Sequence, residues 1–119
     1  MLTSTHDPDS LVAATCYAST LISLKRFEEA KALLRKTVPV TRRVLGESNE
    51  LTLKMRWNYA QTLYKADSAT LDDLREAVTT LEDAERIARR VLGGAHPVVV
   101  GGFEASLQEA RAVLRARAT

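Results

Sequence analysis

Arg42-Arg43-Val44-Leu45-Gly46 and Arg89-Arg90-Val91-Leu92-Gly93 are the same five residues written twice, 47 positions apart. A duplicated pentapeptide marks either a repeated active site or a repeated structural unit. The surroundings of the copies favour the unit. Glu28-Glu29 opens the first segment and Arg42-Arg43 closes it, acids first and bases last, as the helix dipole prefers. Val44 and Leu45, like Val91 and Leu92, are expected to pack inward, and each glycine to supply the left-handed stop. Catalysis by paired arginines would need a nucleophile or a phosphate loop beside them, and none is visible.

Composition points the same way. At 119 residues with 45% apolar content the chain can build one domain around an aliphatic core, since only 5% of it is aromatic. Alanine, leucine, arginine and glutamate dominate, all good helix formers. No stretch alternates β-branched with polar residues, so strands are not expected. The net charge of +2 is too small to argue for nucleic acid. No apolar run reaches the ~18 residues of a membrane span. The first ten residues carry neither a signal core nor an Arg-rich transit pattern, so a cytoplasmic address is expected. The single cysteine, Cys16, cannot close an internal disulfide, which suits a reducing compartment.

Helical spacing recurs along the chain. Leu11, Ala14, Ala18 and Leu21 form one stripe, with Asp9 or Ser10 as its cap and Pro8 ending the arm before it. Phe27, Ala30, Leu33, Leu34 and Val44 form a second, and Leu53, Trp57, Ala60 and Tyr64 a third. Leu74, Ala77 or Val78, Leu81, Ala84, Ala88 and Val91 make the fourth, and Val100, Phe103, Leu107, Ala110 and Leu114 the fifth. Five helices with short connections mean antiparallel neighbours.

Two registers relate the units. Leu11 with Leu53, Tyr17 with Tyr59, Ala18 with Ala60 and Leu21 with Leu63 are 42 apart, whereas Ala30 with Ala77 and Gly46 with Gly93 are 47 apart. The second unit therefore carries five extra residues around Ala66–Leu74, between its two helices. Loops tolerate such additions, since doubling one costs only ~0.6 kcal/mol. Thr70 and Asp73 form a capping pair that restarts the helix.

Two-helix units with a period in the forties are a solenoid signature. The stretch Phe27-Glu28-Glu29-Ala30 followed by RRVLG resembles the tetratricopeptide repeats of the kinesin light chain type. Those run roughly HPDTL, NNLA, G-R-Y-E-E-A and REKVLG. Here the starts read Asp7-Pro8-Asp9-Ser10-Leu11, Asn49-Glu50-Leu51-Thr52-Leu53 and His96-Pro97. The middles read Thr15-Cys16-Tyr17-Ala18 and Trp57-Asn58-Tyr59-Ala60. The turns read Lys25-Arg26-Phe27-Glu28-Glu29-Ala30 and Leu74-Arg75-Glu76-Ala77. Three departures stand out: the insertion, the paired asparagines reduced to Asn58, and Pro39 inside a helix, where a kink or break near Val38 is expected.

The resemblance implies an all-α solenoid of antiparallel hairpins with about five helices. Residues 1–8 would be a disordered arm and 9–119 the repeat domain, in units of about 7–48, 49–95 and a half unit 96–117. It also implies a protein–protein interaction scaffold rather than an enzyme, holding a peptide or protein partner on its concave face. The first helix of each unit lines that face, which carries the role onto Thr15, Ser19, Lys54, Trp57, Asn58, Gln61, Lys65, Glu104, Gln108 and Arg111. Trp57 beside Lys54 suits a peptide with an apolar residue near an acid, or Trp57 packs between helices. Asn58 either bonds a peptide backbone or caps a neighbouring turn.

No other chemistry is expected. No HExxH, P-loop, GxGxxG or CxxC occurs, so no cofactor, metal or catalytic residue is assigned. His6 and His96 precede helices and are expected as turn or capping residues, and Cys16 as a small buried one. Asp72-Asp73 sit where a helix dipole favours acids. A groove of two and a half units is small beside the ~1,600 Å² of a standard interface. Weak binding, membership of a longer array, or self-association would each answer that. The polar last helix can act as a cap, but the first helix has none before it. The alternative to a groove binder is therefore a self-associating spacer, a homodimer through the uncapped N-terminal end. No nucleic-acid or membrane partner is expected.

Overall fold

The computed structural model describes residues 8–118. Among these the protein is all-α. Its helices are α1 (Pro8–Ser23), α2 (Phe27–Leu45), α3 (Glu50–Tyr64), α4 (Leu71–Leu92) and α5 (Ala105–Ala118), and no strand is present among the described residues. A π-helical segment, Val98–Glu104, runs directly into α5. The expected arm, with His6, falls outside the described residues except for Pro8. That proline opens α1, where its missing N–H is no loss. Asp9 and Ser10, expected as caps, lie inside the first turn.

Consecutive helices pack as antiparallel hairpins, and α3 also touches α1 and α5. The odd-numbered helices thus form one layer and α2 and α4 the other. The core follows the helical stripes: Leu11, Leu21 and Ala30 are buried, Ala18 packs with Leu34 and Met55, and Leu53, Ala60 and Tyr64 meet Leu74, Ala77, Leu81, Ala84 and Ala88. Small alanines at 0% exposure along α4 let its neighbours approach closely.

Several expected positions fall elsewhere. Val44 and Val91 are exposed, because the buried line of α2 runs Ala30, Leu34, Thr37, Thr41 and that of α4 runs Leu81, Ala84, Ala88. The two threonines occupy core positions by donating their hydroxyls to backbone carbonyls four residues back, Thr37 to Leu33 at 3.0 Å and Thr41 to Thr37 at 2.9 Å. Val100 is also exposed while Val99 is buried. The run Val98-Val99-Val100 left the choice open, and the wider π turn settles it on Val99. Cys16 is exposed rather than buried. Its face of α1 is one that only a neighbour outside the hairpin could cover.

Pro39 does not break its helix; α2 continues through it to Leu45. Pro39 is exposed, so the Arg35 carbonyl it leaves without an amide partner lies on the solvent side. The extra residues of the second unit are shared between the loop 65–70 and an added first turn of α4. Thr70 and Asp73 cap that turn reciprocally, with Asp73 N–H donating to Thr70 Oγ1 at 3.1 Å and Thr70 N–H to Asp73 Oδ2 at 3.0 Å. The Thr70 backbone N–H is the main reason the Asp73 carboxyl is held below its ordinary range.

Both RRVLG segments close alike. Gly46 (φ 89°, ψ 162°) and Gly93 (φ 95°, ψ 146°) each donate their N–H to the carbonyl of the first arginine, at 3.0 Å. Their φ is positive, as expected, but ψ is extended, a region reserved in practice for glycine. Lys25 is the one positive-φ residue other than glycine among the described residues, at φ 61° in the α1–α2 turn. The tetratricopeptide pattern has glycine there.

Two substitutions test these turns and the proline. Left-handed backbone costs a residue with a side chain ~1–2 kcal/mol, and glycine's extra unfolded-state freedom offsets part of that. Lys25→Gly should therefore stabilise by about 0.5–1 kcal/mol and raise the melting temperature by about 4 °C. Pro39→Ala should restore a helical hydrogen bond and stabilise by about 2 kcal/mol in urea melts. A fall in stability for either variant would mean that the backbone there is not as described.

Candidate functional site

The face expected to hold a partner is built by α1, α3 and α5. Of its ten assigned residues, Ser19, Lys54, Lys65, Gln108 and Arg111 are exposed, Trp57, Gln61 and Glu104 are half-buried, and Thr15 and Asn58 are buried. Thr15 donates its hydroxyl to the carbonyl of Leu11 at 2.9 Å, within its own helix. Asn58 Nδ2 donates to Ser19 Oγ at 3.0 Å, so these two side chains tie α3 to α1. Lys54 pairs with Glu50 one turn back at 3.5 Å.

Trp57 joins the second unit to the third. Its ring lies 5.8 Å from that of Phe103 at a 40° tilt, and its Nε1–H donates to Ser106 Oγ at 2.8 Å. Gly102 makes room for the indole, since a Cβ there would sit 3.1 Å from the ring. Glu104 and Arg111 face α4 in an antiparallel ladder: Glu104 with Arg89 at 2.7 Å and, one heptad on, Arg111 with Glu82 at 2.8 Å. Exposed pairs of this kind contribute at most ~1 kcal/mol each, but they fix register.

Other ties cross the second layer. Tyr59 donates to Glu76 on α4 at 2.7 Å and accepts from Arg35 on α2 at 3.4 Å. Burial is the main cause of the raised Tyr59 pKa, and the bond to Tyr59 the main cause of the raised Arg35 one. Arg56 is buried 4.0 Å from Asp83, and its pKa is lowered first by burial and then by Arg42 nearby. His96 accepts from the Val98 N–H at 3.1 Å, the turn role expected of it.

One feature of this end of the molecule is not legible in the sequence. A cleft of about 910 Å³ opens where the α1–α2 turn, the loop 65–70 and the end of α5 converge, and Lys65 is the one assigned residue that lines it. Phe27, Tyr64 and Val113 give it apolar walls, and its charged rim is mixed, with Lys25, Arg26, Lys65 and Arg117 set among Glu28, Glu29, Asp67 and Glu109. Arg117 closes one side by donating to the carbonyls of Ala69 at 2.6 Å and Asp67 at 3.2 Å. The insertion hinted at a loop here, but nothing marked Arg117 as its anchor. Tyr64 is buried at the base; burial raises its hydroxyl pKa and the nearby Ser106 offsets only part of that. Among the described residues no group of three or more His, Cys, Asp and Glu side chains could hold a metal, and no helix is long and apolar enough to cross a membrane.

The packing of Trp57 is directly testable. Trp57→Ala should destabilise by about 3 kcal/mol in urea unfolding, near the low end for a buried aromatic because the ring is only partly covered. A loss below ~0.5 kcal/mol, typical of surface changes, would show that the indole does not join the units.

No curated protein and no solved structure matches the chain. Residues 11–50 match the tetratricopeptide repeat family, a stretch that takes in most of α1, all of α2 and the turn into α3. The first hairpin is therefore similar to a tetratricopeptide-type repeat.

Proposed function

We propose that the protein is an interaction scaffold that holds an extended peptide of a protein partner along α1, α3 and α5, with one end of the peptide in the cleft beside Lys65. The observation that carries this reading is the cleft itself: the ends of α3 and α5 line it together with the α1–α2 turn and the first turn of α2, and it combines apolar walls with charged rims. A peptide with an apolar residue next to an acid fits those walls and Lys65. Gln61, Gln108 and Lys54 offer further polar contacts along the same helices. The repeats belong in this reading to the kinesin light chain type, on the strength of the RRVLG helix ends and Glu28-Glu29-Ala30. A cytoplasmic location goes with it, because a reducing compartment keeps the exposed thiol of Cys16 free. Nucleic acid is disfavoured, since Arg42 and Arg89 already pair with Glu47 and with Glu85 and Glu104.

A second reading, self-association through the N-terminal end, is favoured by one observation. Val12, Tyr17 and Leu24 are large apolar residues left exposed on or just beyond α1.

Peptides selected by display against the wild-type protein provide the test of the groove. Lys65→Glu combined with Lys54→Glu alters charge at exposed positions and should cost only about 0.5–1 kcal/mol of stability, from loss of the Lys54–Glu50 pair. Calorimetric affinity for a selected acidic–apolar peptide should fall at least tenfold, about 1.4 kcal/mol. Unchanged affinity would remove the groove and its cleft from the binding site.

A further inference from the structure

Half of the charges around the cleft are already committed. Arg26 pairs with Glu29 at 2.7 Å and Lys31 with Glu28 at 3.3 Å, while Arg117 donates to the loop carbonyls. Lys25, Lys65, Asp67 and Glu109 are exposed and form no ion pair among the described residues. Their placement sorts them by sign. α3 packs against both α1 and α5, so its end, with Tyr64 and Lys65, lies between two lips. One lip is the α1–α2 turn, where Lys25 stands. The other is α5, where Glu109 and Val113 stand, and Arg117 ties the loop carrying Asp67 to it. Lys25 is also the residue held at φ 61°, where the repeat pattern has glycine. Strained backbone of this kind concentrates where a side chain is used in binding.

We propose that the cleft selects the order of charges in its peptide: an acidic residue against Lys25, an apolar one on Phe27, Tyr64 and Val113, and a basic one against Glu109 and Asp67. The proposal rests on the groove reading above and adds to it the basic residue and the part played by Lys25. Lys65, next to Tyr64, shares the acid with Lys25. A peptide acidic on both sides of its apolar residue would set one carboxylate against Glu109 and Asp67. A peptide basic on both sides would set one cation against Lys25 and Lys65. Each mismatch turns an attraction into a repulsion, which is how charged rims reject wrong partners while adding little to affinity. The left-handed lysine then has a reason. Glycine would relax the turn but leave the peptide's acid without a counter-charge on the first lip.

A displayed library with a fixed apolar centre and free flanks, selected on the whole protein, should return peptides with an acid on one side and a base on the other. For the tightest of these, Lys25→Glu should weaken calorimetric affinity about fivefold at low salt and less at high salt. Replacing the peptide's acid by lysine should restore the affinity of that variant. Glu109→Lys should behave in the same way towards the peptide's base. Both side chains are exposed, and the melting temperature verifies that each variant folds. Lys25→Gly should raise the melting temperature yet weaken binding, a split that a merely structural lysine would not produce. Selected peptides with flanks of one sign overturn the proposal. So does an affinity that falls with Lys65→Glu and Lys54→Glu but ignores the Lys25 and Glu109 reversals, or that no peptide swap restores; the groove reading then stands. Affinity indifferent to all four reversals removes the groove, and the charge order with it.

Discussion

Every hairpin of this protein has an apolar side that it cannot cover alone, and α3 is where that constraint is met from both directions. Met55 and Asn58 on one side of α3 reach the first unit, and Trp57, Leu53 and Leu63 on the other join the core shared with α4 and Phe103. Remove α3 and neither neighbour keeps a complete core. Stacked-repeat proteins share this nearest-neighbour logic: each unit is stabilised by the one beside it. The polar ties follow the same geometry. Tyr59 spans α2 and α4, while the Glu104–Arg89 and Arg111–Glu82 pairs hold α5 to α4 in fixed register.

That arrangement bears on function. Several side chains that a peptide groove could have used are occupied in joining units: Asn58 with Ser19, Trp57 with Ser106, Glu104 with Arg89. The groove reading therefore rests on Lys54, Gln61, Lys65 and Gln108, together with the cleft at the turn end.

Much of the fold was legible because aliphatic spacing at helical period is a direct consequence of burial on one face. The doubled RRVLG, the insertion and the Thr70–Asp73 cap could all be read from residues alone. Where the reading missed, a local competitor decided. Thr37 and Thr41 took core positions in place of Val44 because their hydroxyls bond back to the helix. Val99 displaced Val100 because a π turn shifts the register. Pro39 stayed in a continuous helix because it faces solvent. Cys16 was expected to be buried because it sits among alanines and a tyrosine, yet it lies on an exposed face of α1. The site was less legible, since Arg117 meets the 65–70 loop only through tertiary packing.

Amide hydrogen exchange followed by NMR is the most direct test of the stacking claim. The account predicts that amides from Met55 to Leu63 in α3 exchange only through global unfolding and are the slowest in the protein, with α1 and the last turns of α5 exchanging faster. If α3 exchanged as readily as α1, the units would not be stabilising one another through it, and the description of the protein as stacked, mutually covering hairpins would be contradicted.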